Sequence, residues 1–148
     1  HGTWTKEDYV RAFRCLRNSG VEVVPHILAG IRKGQICTEY DAVDFLLGEG
    51  ISRLIFIVFI PTPGTAWEDL LPPSAGDVAR LVAWARVKRP DLEIALGCMR
   101  PKGRYREELD VLALSAGVDV IVIPHPAAIT EAGRKGLTIV KREECCGF

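Results

Sequence analysis

The residues best suited to chemistry lie within residues 97–104, which read GCMRPKGR. Arg100 carries a rigid fork of N–H donors, and such a fork suits a carboxylate or a bridging sulfide. Cys98 lies among cations in the sequence, and cations favour the thiolate, so Cys98 is a candidate metal ligand or sulfur carrier. Because free cysteines are also often buried, a core thiol is the alternative for Cys98.

Two histidines lie in segments rich in proline and glycine. Residues 25–34 read PHILAGIRKG and combine His26 with two glycines and two cations. The glycines would let a carboxylate or phosphate approach the backbone N–H groups. The alternative is a glycine-rich turn without a ligand, in which Arg32 and Lys33 are solvated. His26 is a candidate ligand contact, and a purely structural role for this histidine is an equally good interpretation. His125 lies between two prolines that stiffen its backbone, which suits either a positioned ligand contact or a plain loop residue.

The five cysteines do not indicate a disulfide framework, because their number is odd and most are widely spaced. Neither CxxC nor CxxxCxxC spacing occurs. Cys145 and Cys146 are adjacent in a polar tail over residues 141–148. The pair could form a vicinal disulfide, could ligate a metal ion or cluster, or could have no role. The sequence begins at His1 and a helix start follows at Thr5, so we expect a piece excised from a longer chain, with a processed or tag-trimmed terminus as the alternative.

The composition excludes several classes of protein. Of the 148 residues, 48% are hydrophobic and 26% are charged, which is typical of a globular domain. The formal net charge is zero, so we expect neither a general nucleic-acid binder nor a binder of anionic membranes. No apolar run approaches the ~20 residues of a membrane span. No signal peptide is evident, so we expect a cytoplasmic protein.

Helical and strand patterns alternate along the chain. Capping signals, apolar stripes and glycine or proline stops predict helices over residues 5–18, 38–48, 75–87, 105–116 and 127–134. Apolar and β-branched runs predict strands over residues 21–28, 51–60, 92–97 and 118–123. This alternation predicts an α/β fold with parallel strands and right-handed crossovers. An open doubly wound sheet and half of a (β/α)₈ barrel both fit. We expect the C-terminal half of a TIM-type barrel, with about four βα units forming a single partial domain over residues 1–148.

In either architecture, ligands bind at the carboxyl ends of the strands. This rule selects residues 25–34, 60–65, 97–104 and 124–127. Together these segments resemble the radical S-adenosylmethionine superfamily, in its biotin synthase-like branch. Residues 26–31 (HILAGI) resemble the fifth-strand G-x-I-x-G segment of that family, and residues 61–65 (PTPGT) resemble its sixth-strand P-x-x-G-T. Arg100 falls where biotin synthase carries a seventh-strand arginine, and residues 113–119 (ALSAGVD) resemble the turn into the last strand.

The resemblance implies cofactors and roles for particular residues. The complete enzyme would use a [4Fe–4S] cluster and S-adenosylmethionine to generate a radical, and sulfur insertion into an unactivated carbon would follow. The residues that would contact S-adenosylmethionine are Ile27, Leu28, Gly30, Ile31, Gly64 and Thr65. His26, Arg100 and His125 would line the substrate or auxiliary site. Cys98, Cys145 and Cys146 would ligate an auxiliary iron–sulfur cluster.

The CxxxCxxC motif of the radical-generating cluster is absent from the sequence, so we expect this chain to be inactive alone. Its expected partners are a small-molecule substrate and the N-terminal half of the same barrel. A homo-oligomer or a domain-swapped dimer is expected of the isolated piece, because a half-barrel leaves strands exposed. Two other functions stay open. One is a stand-alone α/β module that binds a small anion or nucleotide without catalysis, and the other is a regulatory or structural remnant of the fold.

Overall fold

The structure, a computed structural model, describes residues 4–143. Five helices alternate with four strands in this part of the chain. The helices are α1 (Lys6–Asn18), α2 (Glu39–Gly48), α3 (Ala75–Lys88), α4 (Arg104–Ala116) and α5 (Pro126–Arg134). The strands are β1 (His26–Ala29), β2 (Arg53–Val58), β3 (Glu93–Leu96) and β4 (Val120–Ile121). The predicted alternation of helix and strand is therefore confirmed, and every strand is shorter than predicted.

The four strands form one parallel sheet in the order β1-β2-β3-β4. Each strand lies beside the next one in sequence, which is the order found in a (β/α)₈ barrel. β1 starts only after Pro25, whose nitrogen has no hydrogen to donate to the sheet. β4 ends at Ile121 because the carbonyl groups of Val122 and Ile123 accept hydrogen bonds from Arg100. Local contacts therefore end strands that their apolar sequences would have continued.

The helices cover one face of the sheet. Alternate strand residues, Ile27 and Ala29 in β1 and Leu54, Phe56 and Val58 in β2, join the inward residues of α2, α3 and α4 in a single core cluster. The strand side chains of the opposite parity are not members of this cluster. We call their side of the sheet the open face. One-sided coverage distinguishes a partial barrel from a doubly wound sheet, whose two faces are both covered. The predicted partial barrel is therefore confirmed.

The first helix begins as its sequence predicts. The Thr5 hydroxyl accepts a hydrogen bond from the Asp8 N–H, and the Asp8 carboxylate accepts one from the Thr5 N–H. This reciprocal capping box satisfies two backbone donors that the first turn leaves without helical partners. None of the helices in residues 4–143 is both long enough and apolar enough to cross a membrane.

Replacement of Ser74 by Ala is expected to lower the free energy of unfolding by about 1 kcal/mol. The Ser74 hydroxyl accepts from the Asp77 N–H at 3.1 Å and donates to the Asp77 carboxylate at 2.5 Å, and the second bond lowers the Asp77 pKa. Because a lowered carboxyl pKa stabilises the fold only above that pKa, the effect should diminish as the pH falls through it. Urea denaturation at neutral and acidic pH measures both effects. Ser115→Ala, on the exposed surface of α4, is the control, and an equal loss there would contradict the cap.

Candidate functional site

The candidate site is the carboxyl edge of the sheet. We define it as the loops over residues 30–38, 59–74, 97–103 and 122–125, which follow the four strands in turn. All four loops lie at the same edge because the strands are parallel. In barrels of this kind, ligands bind at the carboxyl edge, whereas the opposite edge contributes to stability.

A buried carboxylate holds the loop after β1. Glu39 is the first residue of α2 and is 3% exposed. Its two carboxylate oxygens accept hydrogen bonds from the N–H groups of Gly30 and Cys37, each at 2.8 Å. These bonds fix both ends of the loop and leave the side chains of Arg32 and Lys33 exposed between them. The loop therefore presents two cations on a restrained backbone.

The loop after β2 packs against the loop after β1 and against α4. The Tyr105 hydroxyl donates to the Pro73 carbonyl at 2.7 Å, and burial raises the pKa of the Tyr105 phenol above its usual range. Gly34 approaches the Leu71 carbonyl so closely that a Cβ at position 34 would overlap its oxygen. Residues 71–73 therefore lie at the junction of the first two loops and α4.

The guanidinium of Arg100 is fully buried beneath the loop after β3. It forms a bidentate pair with Asp110 of α4, with Nε–Oδ1 at 2.7 Å and Nη2–Oδ2 at 2.9 Å. Nη1 also donates to the carbonyls of Gly97 and Val122, and Nη2 donates to that of Ile123. All five N–H donors of Arg100 therefore have partners. Arg100 holds the loops after β3 and β4 together rather than pointing into an open site.

The loop after β4 adopts an unusual backbone conformation. Ile123 has φ of 49°, and a positive φ is rare for a β-branched residue. Its carbonyl accepts from Arg100, and the His125 N–H donates to Asp110 Oδ2 at 2.8 Å. His125 also caps α5, with Nδ1 accepting from the Ala127 N–H at 3.2 Å. The buried pair thus holds Ile123 in its strained conformation and fixes the half-buried His125 at the carboxyl edge.

Cations without ion pairs are concentrated at the carboxyl edge. Among residues 4–143, no salt bridge forms at Arg32, Lys33, Lys102 or Arg104. At the opposite edge, by contrast, Arg53 and Arg86 are paired with Glu93 and Asp119. The first turn of α4 follows Gly103, which provides no side-chain cap for the N–H groups there. The carboxyl edge is therefore suited to an anion that both side-chain cations and backbone N–H groups can contact.

The structure separates the residues that the resemblance had placed around one cofactor. Ile27 is buried on the helix-covered face, whereas Leu28 is half-buried on the open face. Gly30 is buried and bonded to Glu39, while Ile31 is 50% exposed. Neighbouring residues of a strand point to opposite faces, so Ile27 and Leu28 cannot contact the same ligand from the open face.

Gly64 and Thr65 lie in the exposed loop after β2, where their hydrogen bonds are local. The Gly64 N–H donates to the Glu68 carboxylate at 2.7 Å, and the Thr65 hydroxyl donates to the Thr62 carbonyl at 2.7 Å. His26 is exposed at the start of β1, which is the end of the strand opposite the candidate site. His26 and His125 therefore lie at opposite edges of the sheet.

The predicted cluster ligands do not form a site in the described part of the chain. Cys98 is a half-buried free thiol in the loop after β3. Cys145 and Cys146 lie outside the described residues. Within residues 4–143, no group of three His, Cys, Asp or Glu side chains is arranged to hold a metal ion.

Comparisons with known proteins show similarity in fold. The tryptophan synthase alpha chain from Legionella pneumophila subsp. pneumophila, a TIM barrel, is similar to this chain, with a TM-score of 0.55 and 20% sequence identity. The match covers 86% of this chain and 54% of that chain, so this chain spans about half the length of the solved structure. No family model and no curated protein matches the sequence.

These findings contradict the resemblance to the radical S-adenosylmethionine superfamily. The similar structure is a tryptophan synthase alpha chain, and no family model supports a biotin synthase-like protein. The expected sulfur insertion and the description as an iron–sulfur transferase were therefore wrong. The short motifs that suggested the family are ordinary parts of this fold: residues 26–29 form β1, residues 61–65 lie in the loop after β2, and residues 113–119 span the end of α4 and the turn into β4. S-adenosylmethionine and iron–sulfur clusters were implied only by the resemblance, and we do not propose them here.

Sequence reasoning missed the residues that hold the site together. Glu39 and Asp110 are fully or almost fully buried, yet neither was selected as a candidate. Asp110 had a detectable signal, because it lies between Leu109 and Val111 and three residues before Ala113 on the inward side of α4. A charged residue on an apolar helix face indicates a buried partner. Nothing local in the sequence identified that partner as Arg100.

Proposed function

We propose that this chain supplies four βα units of a (β/α)₈-barrel enzyme whose substrate is a small anionic molecule bound at the carboxyl edge. The observation that carries this proposal is the contrast between the two edges of the sheet. The exposed cations of the carboxyl edge, Arg32, Lys33, Lys102 and Arg104, form no salt bridge within residues 4–143, whereas Arg53 and Arg86 at the opposite edge are paired. Unpaired exposed cations beside uncapped N–H groups favour phosphate and carboxylate groups.

The proposed binding group consists of Lys102 and Arg104 with the N–H groups of the first turn of α4. Arg32 and Lys33 would add positive potential from the loop after β1. His125 would contribute a polar contact, because its Nδ1 accepts from Ala127 and the proton of the neutral ring then lies on Nε2. The similar solved structure supports the barrel architecture. At 20% identity, its reaction is not carried over to this chain.

The proposal includes two further expectations from the sequence. The remaining βα units would complete the barrel, since this chain spans about half of the similar solved structure. A cytoplasmic location is supported by Cys15, Cys37 and Cys98, which are free thiols in the described part of the chain.

Titration with inorganic phosphate tests the anion site. In the ¹⁵N-labelled chain at low ionic strength, we expect amide shifts in residues 102–106 and 32–33. The double variant Lys102→Ala/Arg104→Ala should bind phosphate about 10-fold more weakly, because it loses two charge-assisted contacts. The matched control is Lys141→Ala/Arg142→Ala, which removes the same charge from an exposed segment after α5. Equal weakening in both double variants would mean that phosphate responds only to net charge, and the proposed site would be rejected.

A further inference from the structure

We infer that Phe59 and Trp67 form an aromatic subsite at the carboxyl edge, which binds a planar apolar group of the substrate. This inference rests on the proposed function for the anionic group and adds the neutral part of the same molecule. Phe59 is the first residue after β2, and Trp67 follows in the same loop. Their rings form a T-shaped pair, with centroids 5.9 Å apart and an angle of 71° between the planes. Aromatic side chains commonly line the pockets that hold small molecules.

Phe59 is positioned by the central part of the sheet. β2 lies between β1 and β3, so both of its neighbouring strands belong to the described chain. The Phe59 N–H donates to the Ala29 carbonyl at 2.9 Å, which continues the pairing with β1 past the end of β2. By alternation, Phe59 follows Ile55 and Ile57 on the open face, which corresponds to the interior of a barrel. Its half-buried ring therefore lies at the carboxyl end of that interior, where barrels bind their ligands.

Trp67 is held by hydrogen bonds within its own loop. Before it, the Thr65 N–H donates to the Thr62 carbonyl at 3.2 Å. After it, the Leu70 N–H donates to the Trp67 carbonyl, also at 3.2 Å. The indole stays 40% exposed, and its N–H has no hydrogen-bond partner within residues 4–143. The loop therefore holds the indole against Phe59 and leaves part of its surface and its N–H accessible to a ligand.

Trp84 of α3 provides a comparison, because it has nearly the same exposure, 38%, and also forms a T-shaped pair, with Tyr40. The Trp84 indole N–H donates to Asp44 at 3.1 Å, and the Lys88 ammonium lies 4.4 Å from the ring centroid. The fold thus supplies both a polar and a cationic partner to the Trp84 indole. The described chain supplies neither to Trp67, so the two tryptophans have different roles.

The loop after β3 brings the proposed anion-binding group close to the aromatic pair. The N–H of Val58, next to Phe59 in the chain, donates to the Met99 carbonyl at 2.8 Å. Lys102 follows Met99 by three residues, so the Cα atoms of these two residues are at most about 11 Å apart. An anion bound by Lys102 and the first turn of α4 would therefore allow an attached ring to reach Phe59 and Trp67.

The charges of the carboxyl edge divide in the same way. The loops after β1 and β3 carry the cations Arg32, Lys33 and Lys102, whereas the loop after β2 carries Glu68 and Asp69 and no Lys or Arg. Acidic neighbours repel an anion but do not repel a neutral ring. The loop after β2 is therefore suited to the neutral part of the substrate, with cations for the anionic part on the loops beside it. The substrate class that fits is a phosphate or carboxylate carrying a planar apolar ring.

Phenyl phosphate is the probe for this subsite, with methyl phosphate as a control of the same charge. The ¹⁵N-labelled chain should give three indole N–H signals, one from each tryptophan, which single Trp→Phe replacements assign. We expect phenyl phosphate to shift the Trp67 indole signal and the amides of residues 102–106. We also expect it to bind about 10-fold more tightly than methyl phosphate.

Two variants locate this gain in affinity. Trp67→Ala should remove the 10-fold preference for phenyl phosphate and leave the affinity for inorganic phosphate unchanged. Trp84→Ala, which removes an equally exposed indole from the helical surface, should keep the preference. Circular dichroism reports whether each variant is folded. The indole signals are measured on the unaltered chain, so they decide the question even where a variant does not fold.

Three results would overturn the inference. The Trp67 signal could stay in place, the signals of Trp4 and Trp84 could shift as much as that of Trp67, or cyclohexyl phosphate could bind as tightly as phenyl phosphate. The second result would mean unspecific stacking on any exposed indole, and the third a contact that does not select a planar ring. Shifts in residues 102–106 without a shift at Trp67 would reject only the aromatic subsite. A shift at Trp67 without shifts in residues 102–106 would reject only the anion site, and the absence of both would reject both proposals.

Discussion

Replacement of Arg100 by Met should lower the free energy of unfolding by about 3–5 kcal/mol, the usual cost of removing one partner from a buried ion pair. Met fills much of the same volume, so the loss would come from polar groups and not from a cavity. Asp110 would be left as a buried carboxylate with only the His125 N–H as a described donor. The carbonyls of Gly97, Val122 and Ile123 would lose their Arg100 donors as well. Urea denaturation measures the change.

Three further variants separate the parts of this effect. Arg100→Lys should lose most of the same stability, because an ammonium has three donors on one nitrogen and cannot reproduce a planar fork with five. Arg80→Met removes an exposed arginine of α3 that pairs with Asp77 and should change stability by less than about 1 kcal/mol. If Arg100→Met cost no more than Arg80→Met, the buried pair would not hold the loops. The double variant Arg100→Met/Asp110→Leu should recover only part of the loss, because the carbonyls would still lack donors.

The Arg100–Asp110 pair explains how a strained residue is maintained at the carboxyl edge. A residue held in a sparsely populated backbone region costs about 1–3 kcal/mol and persists only where surrounding contacts determine it. At Ile123 these contacts are the hydrogen bond from Arg100 to its carbonyl and the bond from the His125 N–H to Asp110. Without the pair, Ile123 would be expected to relax to a negative φ and to displace His125. Stability and site geometry therefore depend on the same buried charges.

The sequence was sufficient to predict the order of elements and the partial barrel. Ser74 and Thr5 marked helix starts correctly because capping depends on the few residues next to each helix end. The continuous apolar run of β2 indicated a parallel strand, because strands of parallel sheets carry apolar side chains on both faces. Strand ends were less predictable. β4 stops where Arg100 binds two carbonyls, and that contact links residues more than 20 positions apart in the chain.

The functional residues were predicted less well than the fold, for a related reason. A cation near a strand end can point toward a ligand or be buried against a carboxylate, and the local sequence is the same in both cases. Arg100 is buried and paired, whereas Lys102, two residues later, is exposed and unpaired in the described chain. The difference arises because Asp110, in the second turn of α4, forms a buried ion pair with Arg100. Residue types and spacing therefore located the carboxyl edge correctly but could not assign roles to individual side chains.

Replacement of Gly34 by Ala should lower the free energy of unfolding by about 2–4 kcal/mol, because strain and overlap add at this position. Gly34 has φ of 80°, a conformation that costs a residue with a Cβ roughly 1–2 kcal/mol. The new Cβ would also overlap the Leu71 carbonyl oxygen, which is backbone and cannot move as a side-chain end can. The loops over residues 30–38 and 59–74 would have to separate. Urea denaturation gives the total cost, and limited proteolysis near Leu71 reports the separation.

Gly64→Ala isolates the strain from the overlap. Gly64 has nearly the same φ, 78°, but no heavy atom within 4 Å of the position that a Cβ would take. Its replacement should therefore cost only the conformational part, about 1–2 kcal/mol, without faster cleavage near Leu71. An excess loss at Gly34 would establish that the first two loops of the carboxyl edge are packed together. Equal losses would mean that the loops are independent, and Arg32 and Lys33 would then have no fixed position relative to residues 71–73 and the Tyr105 hydroxyl of α4.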